Sequence, residues 1–129
     1  MNATFRLALN AGQTAPLLSN PSWPEFRDQA LCYAAAECSA AIVQTLIEHG
    51  ANPIYEQDGP LFMAAENNNV DVVRYLLTIP AVCQLASANK NRSLFAAQRN
   101  DYQEIEDLLL SLPNVAAGPS MHKSGYGLI

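Results

Sequence analysis

Charge is scarce in this chain. Seven Lys and Arg and twelve Asp and Glu make up 15% of its 129 residues, against about a quarter in an ordinary globular domain. The few basic residues are scattered, the net charge is −5 and the pI is near 4.8. Those values exclude a phosphate-backbone binder, which needs clustered Lys and Arg to release counterions. Cysteine is limited to Cys32, Cys38 and Cys83, an odd number in apolar surroundings, which reads as buried, reduced thiols rather than a disulfide framework. No Cys-x-x-Cys pair and no glycine-rich phosphate loop occurs. The N-terminus, Met1 to Leu9, lacks the basic start and long apolar core of a signal peptide. No apolar run approaches the roughly 20 residues that span a bilayer. These absences predict a soluble protein of the cytoplasm or another reducing compartment.

Apolar residues make up 50% of the chain, enough for one domain with a real core. Their order carries the fold. A displacement of 33 positions lays Leu61 on Leu94, Phe62 on Phe95, Ala64 on Ala97, Val72 on Ile105, Leu76 on Leu109, Leu77 on Leu110, Pro80 on Pro113 and Val82 on Val115. A displacement of 30 lays Leu31 on Leu61, Ala34-Ala35 on Ala64-Ala65, Ile42-Val43 on Val72-Val73 and Leu46-Ile47 on Leu76-Leu77. A degraded copy opens the chain, with Phe5, Ala8 and Gly12 in the places of Leu31, Ala34 and Cys38. One such unit cannot bury its own apolar face, so stacked neighbours must do it.

Each copy reads as two short antiparallel helices, and the fold class is all-α. Pro60 suits the first turn of a first helix. Val70, Val73, Leu76 and Leu77 form one stripe on a second helix, and the alanine pairs let first helices approach closely. Asp101 with Glu104, and more weakly Asn68 with Asp71, have capping-box spacing. Gly50 is expected to close a helix at positive φ, whereas Pro80 and Pro113 are expected to stop theirs. Trp23 and Phe26 either tuck against the first full copy or form an exposed contact site. The tail through Met121, Tyr126, Leu128 and Ile129 is a cap on the last repeat, a frayed end, or the start of something further.

The segments His49-Gly50-Ala51-Asn52-Pro53, Gly59-Pro60-Leu61-Phe62-Met63-Ala64-Ala65 and Asn69 to Leu77 resemble the ankyrin repeat: its inter-repeat segment, its Thr-Pro-Leu-His helix start and its second helix. The resemblance runs from about Phe5 to Val115. It implies an ankyrin-repeat solenoid over residues 1–118, with a degenerate unit at 1–27, repeats at 28–57, 58–90 and 91–118, and a tail or partial cap at 119–129. The motif threonine is replaced by Gly59 or Arg92 and the motif histidine by Cys32, Phe62 or Phe95, so apolar packing is expected to substitute for their hydrogen bonding. The glycine between the helices becomes Cys38, Asn68 or Asp101. Cysteine tolerates left-handed backbone poorly, so irregularity is expected near Cys38.

Chemistry is thinly represented. Cys38 with His49, and Cys83 with His122, are lone pairs far apart in sequence. His49, in the last turn of a helix, fits the dipole there, and Glu104, Glu106 and Asp107 fit a solvated helix start. No enzyme activity, metal or cofactor is expected. The resemblance implies a non-catalytic protein-interaction module, an adaptor or targeting scaffold gripping a partner with its concave face and loop tips. The positions transferred copy by copy are Glu25, Phe26, Asp28, Ala36 and Glu37; Tyr55, Glu56, Asp58, Glu66 and Asn67; and Asn89, Asn91, Arg99 and Asn100. The expected partner is a protein with a Lys- or Arg-bearing segment opposite Glu25, Asp28, Glu56, Asp58 and Glu66, bound by a monomer without nucleic acid or membrane. Tyr55 and Phe26 are its expected aromatic anchors. The alternatives are an oligomerisation or capping module of a larger assembly and a cysteine-dependent enzyme. The proline-ended repeats also resemble those of proteins that intracellular bacteria deliver into a host cytosol.

Overall fold

Proline and glycine punctuation sets the helix boundaries. The computed structural model describes residues 3–88 and 92–112, and among these the helices are α1 (Ala3–Asn10), α2 (Ala15–Leu18), α3 (Trp23–Glu37), α4 (Ala40–Glu48), α5 (Gly59–Glu66), α6 (Val70–Leu76), α7 (Pro80–Ala88), α8 (Arg92–Arg99) and α9 (Gln103–Leu110). No strand occurs among the described residues. Pro16, Pro24 and Pro60 each lie in the first turn of α2, α3 and α5, where the missing N–H is no loss.

The helices form pairs, α1 with α2, α3 with α4, α5 with α6 and α8 with α9, and the pairs stack. First helices pack as α1 on α3 on α5 on α8, and second helices as α4 on α6 on α9. Ala34, Ala35, Ala64, Ala65, Ala96 and Ala97 are all buried, as close approach of the first helices requires. Leu31, Leu61 and Leu94 continue that core, with Leu46, Leu76 and Leu109 opposite them on the second helices. One apolar cluster runs from Leu9 to Leu109.

The turn inside each pair is where the copies diverge. Gly12, Asn68 and Asp101 occupy one repeat position and adopt left-handed backbone, with φ of 77°, 57° and 62°. That conformation lets the chain fold under the helix end. The N–H groups of Gln13, Asn69 and Tyr102 reach back to the carbonyls of Ala8, Ala64 and Ala97 at 2.8–2.9 Å, the long closing bond of a Schellman-type C-cap. Cys38 stands at the same position and is extended instead, φ −117°. Its N–H bonds the Ala34 carbonyl at 2.7 Å, and Ser39 caps α4 by accepting from the Ile42 N–H. The irregularity expected at Cys38 is therefore a different turn. Asn69 repairs the exposed end of α3 from the next copy, donating to the Ala35 and Cys38 carbonyls at 2.9 and 2.8 Å.

Three expectations change. The capping boxes do not form. Asp101 and Asn68 are spent on the left-handed turn, and the N-caps of α9 and α6 are Tyr102 and Asn69, with no side-chain cap bond. Asp71 instead pairs with Arg74 within α6, and Glu104 pairs with the same arginine from α9, tying the two helices. Pro80 does not stop a helix either: α6 has already ended at Leu76, and Pro80 opens α7, whose Val82 is buried. The connection between the second and third full copies is thus partly helical. Trp23 and Phe26 are both inside, stacked edge-on at 5.6 Å, with the Trp23 indole N–H donating to the His49 carbonyl at 2.9 Å. Phe26 is therefore no surface anchor. Pro113 and the tail lie outside the described residues.

Candidate partner-binding face

Three positions per copy, half-buried or exposed except at buried Gly59, border the outer side of the first helices, and their residue types change from copy to copy. They are Gln29, Gly59 and Arg92; Cys32, Phe62 and Phe95; and Ala36, Glu66 and Arg99. Inward, Leu31, Leu61 and Leu94 share one position and Ala34, Ala64 and Ala97 another, while the buried position of Ala30 carries Pro60 and Ser93 in the later copies. Between α3, α5 and α8, joined by the 51–58 segment, this face opens a cavity of about 370 Å³. Cys32, Phe62 and Met63 supply its apolar wall; Gln29, Tyr55, Glu56 and Arg92 supply polar groups, and Gly59 lies among them.

Arg92 is fixed from two sides. Its Nε donates to Asp58 Oδ1 at 2.7 Å, and its guanidinium lies over the Phe62 ring, 4.3 Å from the centroid. Asp58 is buried and is also approached by the Ser93 hydroxyl at 3.4 Å. It does not cap its own helix α5 but crosses to the start of α8. One copy further back, Asp28 plays a related part, accepting from the Asn52 N–H at 2.8 Å. Asp28 ties the start of α3 to the loop that closes its own copy, whereas Asp58 joins neighbouring copies. Their expected role as surface acids facing a partner's Lys or Arg is corrected on that geometry.

Glu66 is also engaged within the chain. Arg99, its counterpart one copy on, pairs with it at 2.8 Å and lies 5.9 Å from the Phe95 ring centre. Asn67 and Asn100 bond back to the Met63 and Ala96 carbonyls at 2.8 and 2.9 Å, closing the ends of α5 and α8. Glu25, Glu37 and Glu56 are exposed and Tyr55 is half-buried at the cavity. Asn89 and Asn91 lie outside the described residues. Of the expected positions among the described residues, only Tyr55 and Glu56 meet at the cavity. Gly59, Phe62, Arg92 and Phe95 were not among them, because substitutions at the motif threonine and histidine positions read as changes of packing. Phe95, at 45% exposure, packs no core. The signal available was that one repeat position carries Gln29 and Arg92 on either side of Gly59, long polar side chains that need room at the surface.

Glu56 and Gln57 are both left-handed, with φ of 51° and 73°. Two consecutive non-glycine residues in that region are strained, by about 1 kcal/mol or more each. The strain sits on the cavity wall.

The thiols run against nucleophilic use, which requires a stabilised thiolate. Burial pushes the Cys32 thiol up to about 11, the Glu56 and Asp28 carboxylates push it the same way, and Arg92 opposes them. Burial and Glu37 raise Cys38 as well. Its Sγ faces the Leu9 carbonyl at 3.5 Å, whereas His49 Nδ1 lies 2.9 Å from the Thr45 carbonyl. Cys83 Sγ donates to the Leu77 carbonyl at 3.0 Å, and its expected companion His122 lies outside the described residues. Among the described residues no group of three or more His, Cys, Asp or Glu is placed to hold a metal, and no helix is long and apolar enough to cross a membrane.

Compared with known proteins, the chain matches a family model described as ankyrin repeats (3 copies), over residues 4–83 and 31–118. No curated protein and no solved structure matches it.

Proposed function

We propose, from the premise that this chain belongs to the ankyrin-repeat family, whose model spans residues 4–118, that it is a monomeric adaptor that grips a partner protein across the exposed sides of α3, α5 and α8. Ankyrin repeats are generally protein–protein interaction modules, and the family is typically non-catalytic. The observation that carries the reading is the contrast between the two sides of the first helices. The inward positions of Leu31 and Ala34 keep leucine and alanine in all three copies, while the outward positions vary and five of their residues, Gln29, Cys32, Gly59, Phe62 and Arg92, border the 370 Å³ cavity. A core needs the first pattern; recognition of one particular partner uses the second.

The partner segment is basic where it meets Glu25, Glu37 and Glu56, the exposed acids of this face that form no ion pair among the described residues. Phe95 and the stacked Arg99 extend the contact toward α8. The test is capture of partners with the full chain as bait, beside a Tyr55→Ala, Glu56→Lys variant whose helix content is checked by circular dichroism. The reading expects at least a tenfold loss of captured partner. Full retention by the folded variant overturns it.

A further inference from the structure

We propose that the cavity beside Gly59 is a recognition pocket for a single lysine or arginine side chain of the partner segment, a reading that rests on the interaction face described above. One of its lining residues, Gly59, deepens it. The same repeat position carries Gln29 in the preceding copy and Arg92 in the following one, and only at Gly59 is there no side chain to fill the space. A Cβ placed there would lie 3.5 Å from Cys32 Sγ and 3.8 Å from Glu56 Cβ, ordinary contact distances. Gly59 also lies in the first turn of α5 without positive φ. Neither backbone geometry nor crowding demands glycine here, so what glycine provides is the opening.

The walls select a cation with an apolar stem. Phe62, Met63 and Cys32 offer a surface for methylenes, as long basic side chains use when they bury their stems. Beyond them stand the Glu56 carboxylate, the Tyr55 hydroxyl and the Gln29 amide, none with a hydrogen-bond or ion-pair partner among the described residues. Arg92 would at first suggest an acidic guest. Its charge, however, is already met by buried Asp58 at 2.7 Å and its face by Phe62. The uncompensated charge is that of Glu56, and the field at Cys32 has the matching sign, since Glu56 and Asp28 outweigh Arg92 there. The left-handed backbone at Glu56 and Gln57 holds that carboxylate at the rim, a form of strain that concentrates at binding sites.

Gly59→Ala makes the test clean, because alanine fits the site, favours the helix and sets a methyl group into the pocket between Cys32 and Glu56. The full chain, labelled with nitrogen-15, is titrated to about 10 mM with blocked tripeptides carrying arginine, lysine, citrulline or glutamate between glycines. The expected result is saturable shifts of the Cys32, Glu56, Gly59 and Phe62 amides with arginine or lysine, at least tenfold weaker with citrulline and in Gly59→Ala or Glu56→Gln. Equal response to citrulline, preference for glutamate, unchanged binding by Gly59→Ala, or no response overturns the pocket. Partner capture run in parallel separates the two readings. A partner retained by Gly59→Ala alongside a failed titration removes the pocket and leaves the face; no partner for the unaltered chain removes the face, while the titration still decides the pocket.

Discussion

Two arginines at opposite ends of α8 make ion pairs of very different worth. Arg92 pairs with Asp58, whose side chain is 0% exposed, and Arg99 with Glu66, whose side chain is 35% exposed. In Arg92→Ala the buried carboxylate loses a charge-assisted hydrogen bond, about 1.5–3 kcal/mol. It also loses the stack on Phe62, about 0.5–1 kcal/mol at a half-exposed site. The expected destabilisation is therefore about 2–4 kcal/mol, the Ser93 hydroxyl at 3.4 Å being among the contacts that Asp58 keeps. Arg99→Ala breaks a solvated pair, and such pairs contribute about 0.2–1 kcal/mol. Arg92→Lys keeps the charge but not the planar donor and stacking surface, so it restores less than half of the loss. Urea unfolding followed by circular dichroism, with midpoints compared at constant slope, measures all three. A loss below about 1 kcal/mol for Arg92→Ala, or an equal loss for Arg99→Ala, refutes the view that Asp58 and Arg92 fasten α5 to α8.

The other stability and reactivity predictions are smaller. Gly50→Ala forces a side chain onto backbone at φ 104°, with its Cβ 3.0 Å from Arg27 Nη1; thermal or urea unfolding should register a loss of about 1–2 kcal/mol, while Asn68→Gly at φ 57° is expected to lose nothing. Asn69→Ala removes both bonds that finish the end of α3 and should destabilise by about 1–3 kcal/mol, whereas Asn67→Ala, on an exposed bond within its own helix, stays within about 0.5 kcal/mol. Cys32, raised from 9.0 to about 11, carries about 100-fold less thiolate at pH 8 than an ordinary thiol. Peptide mapping after iodoacetamide should find it labelled slowly in the folded chain and faster in Glu56→Gln, since removing that carboxylate lowers the thiol's pKa. Labelling at the rate of the unfolded chain contradicts the assignment.

The stacking of helix pairs was legible because burial forces repetition. Leu31, Leu61 and Leu94 must recur if each copy packs on the last, and the alanine pairs must stay small. Turn chemistry was legible at Asn68 and Asp101, which take left-handed backbone more readily than other non-glycine residues. Their neighbours misled for a related reason. Capping-box spacing at Asp101 and Glu104 is meaningful only when the first residue is extended, and the left-handed turn moves the N-cap to Tyr102. Pro80 was ambiguous in the same local way, since proline ends one helix and begins another by a single property, its fixed φ.

The face was harder to read, because exposure of a charged residue depends on its distant partner. Nothing near Asp58 in sequence indicates that Arg92, 34 residues on, will cover it, or that Arg99 will reach Glu66. Phe26 is hidden by Trp23, whose own place depends on the His49 carbonyl. Tyr55 and Glu56 reach the cavity from their position before a first helix. Gly59 was visible as a departure from the motif threonine, but its meaning required the space around it.

Site-specific photocrosslinking tests the interaction face most directly. A photoreactive residue placed at Tyr55, and another at Phe95, is expected to join covalently to the captured partner, while one at Gln44 or Gln103, exposed on the second helices, does not. Crosslinks from Gln44 or Gln103 with none from Tyr55 or Phe95 would put the partner on the opposite side of the stack and contradict the account.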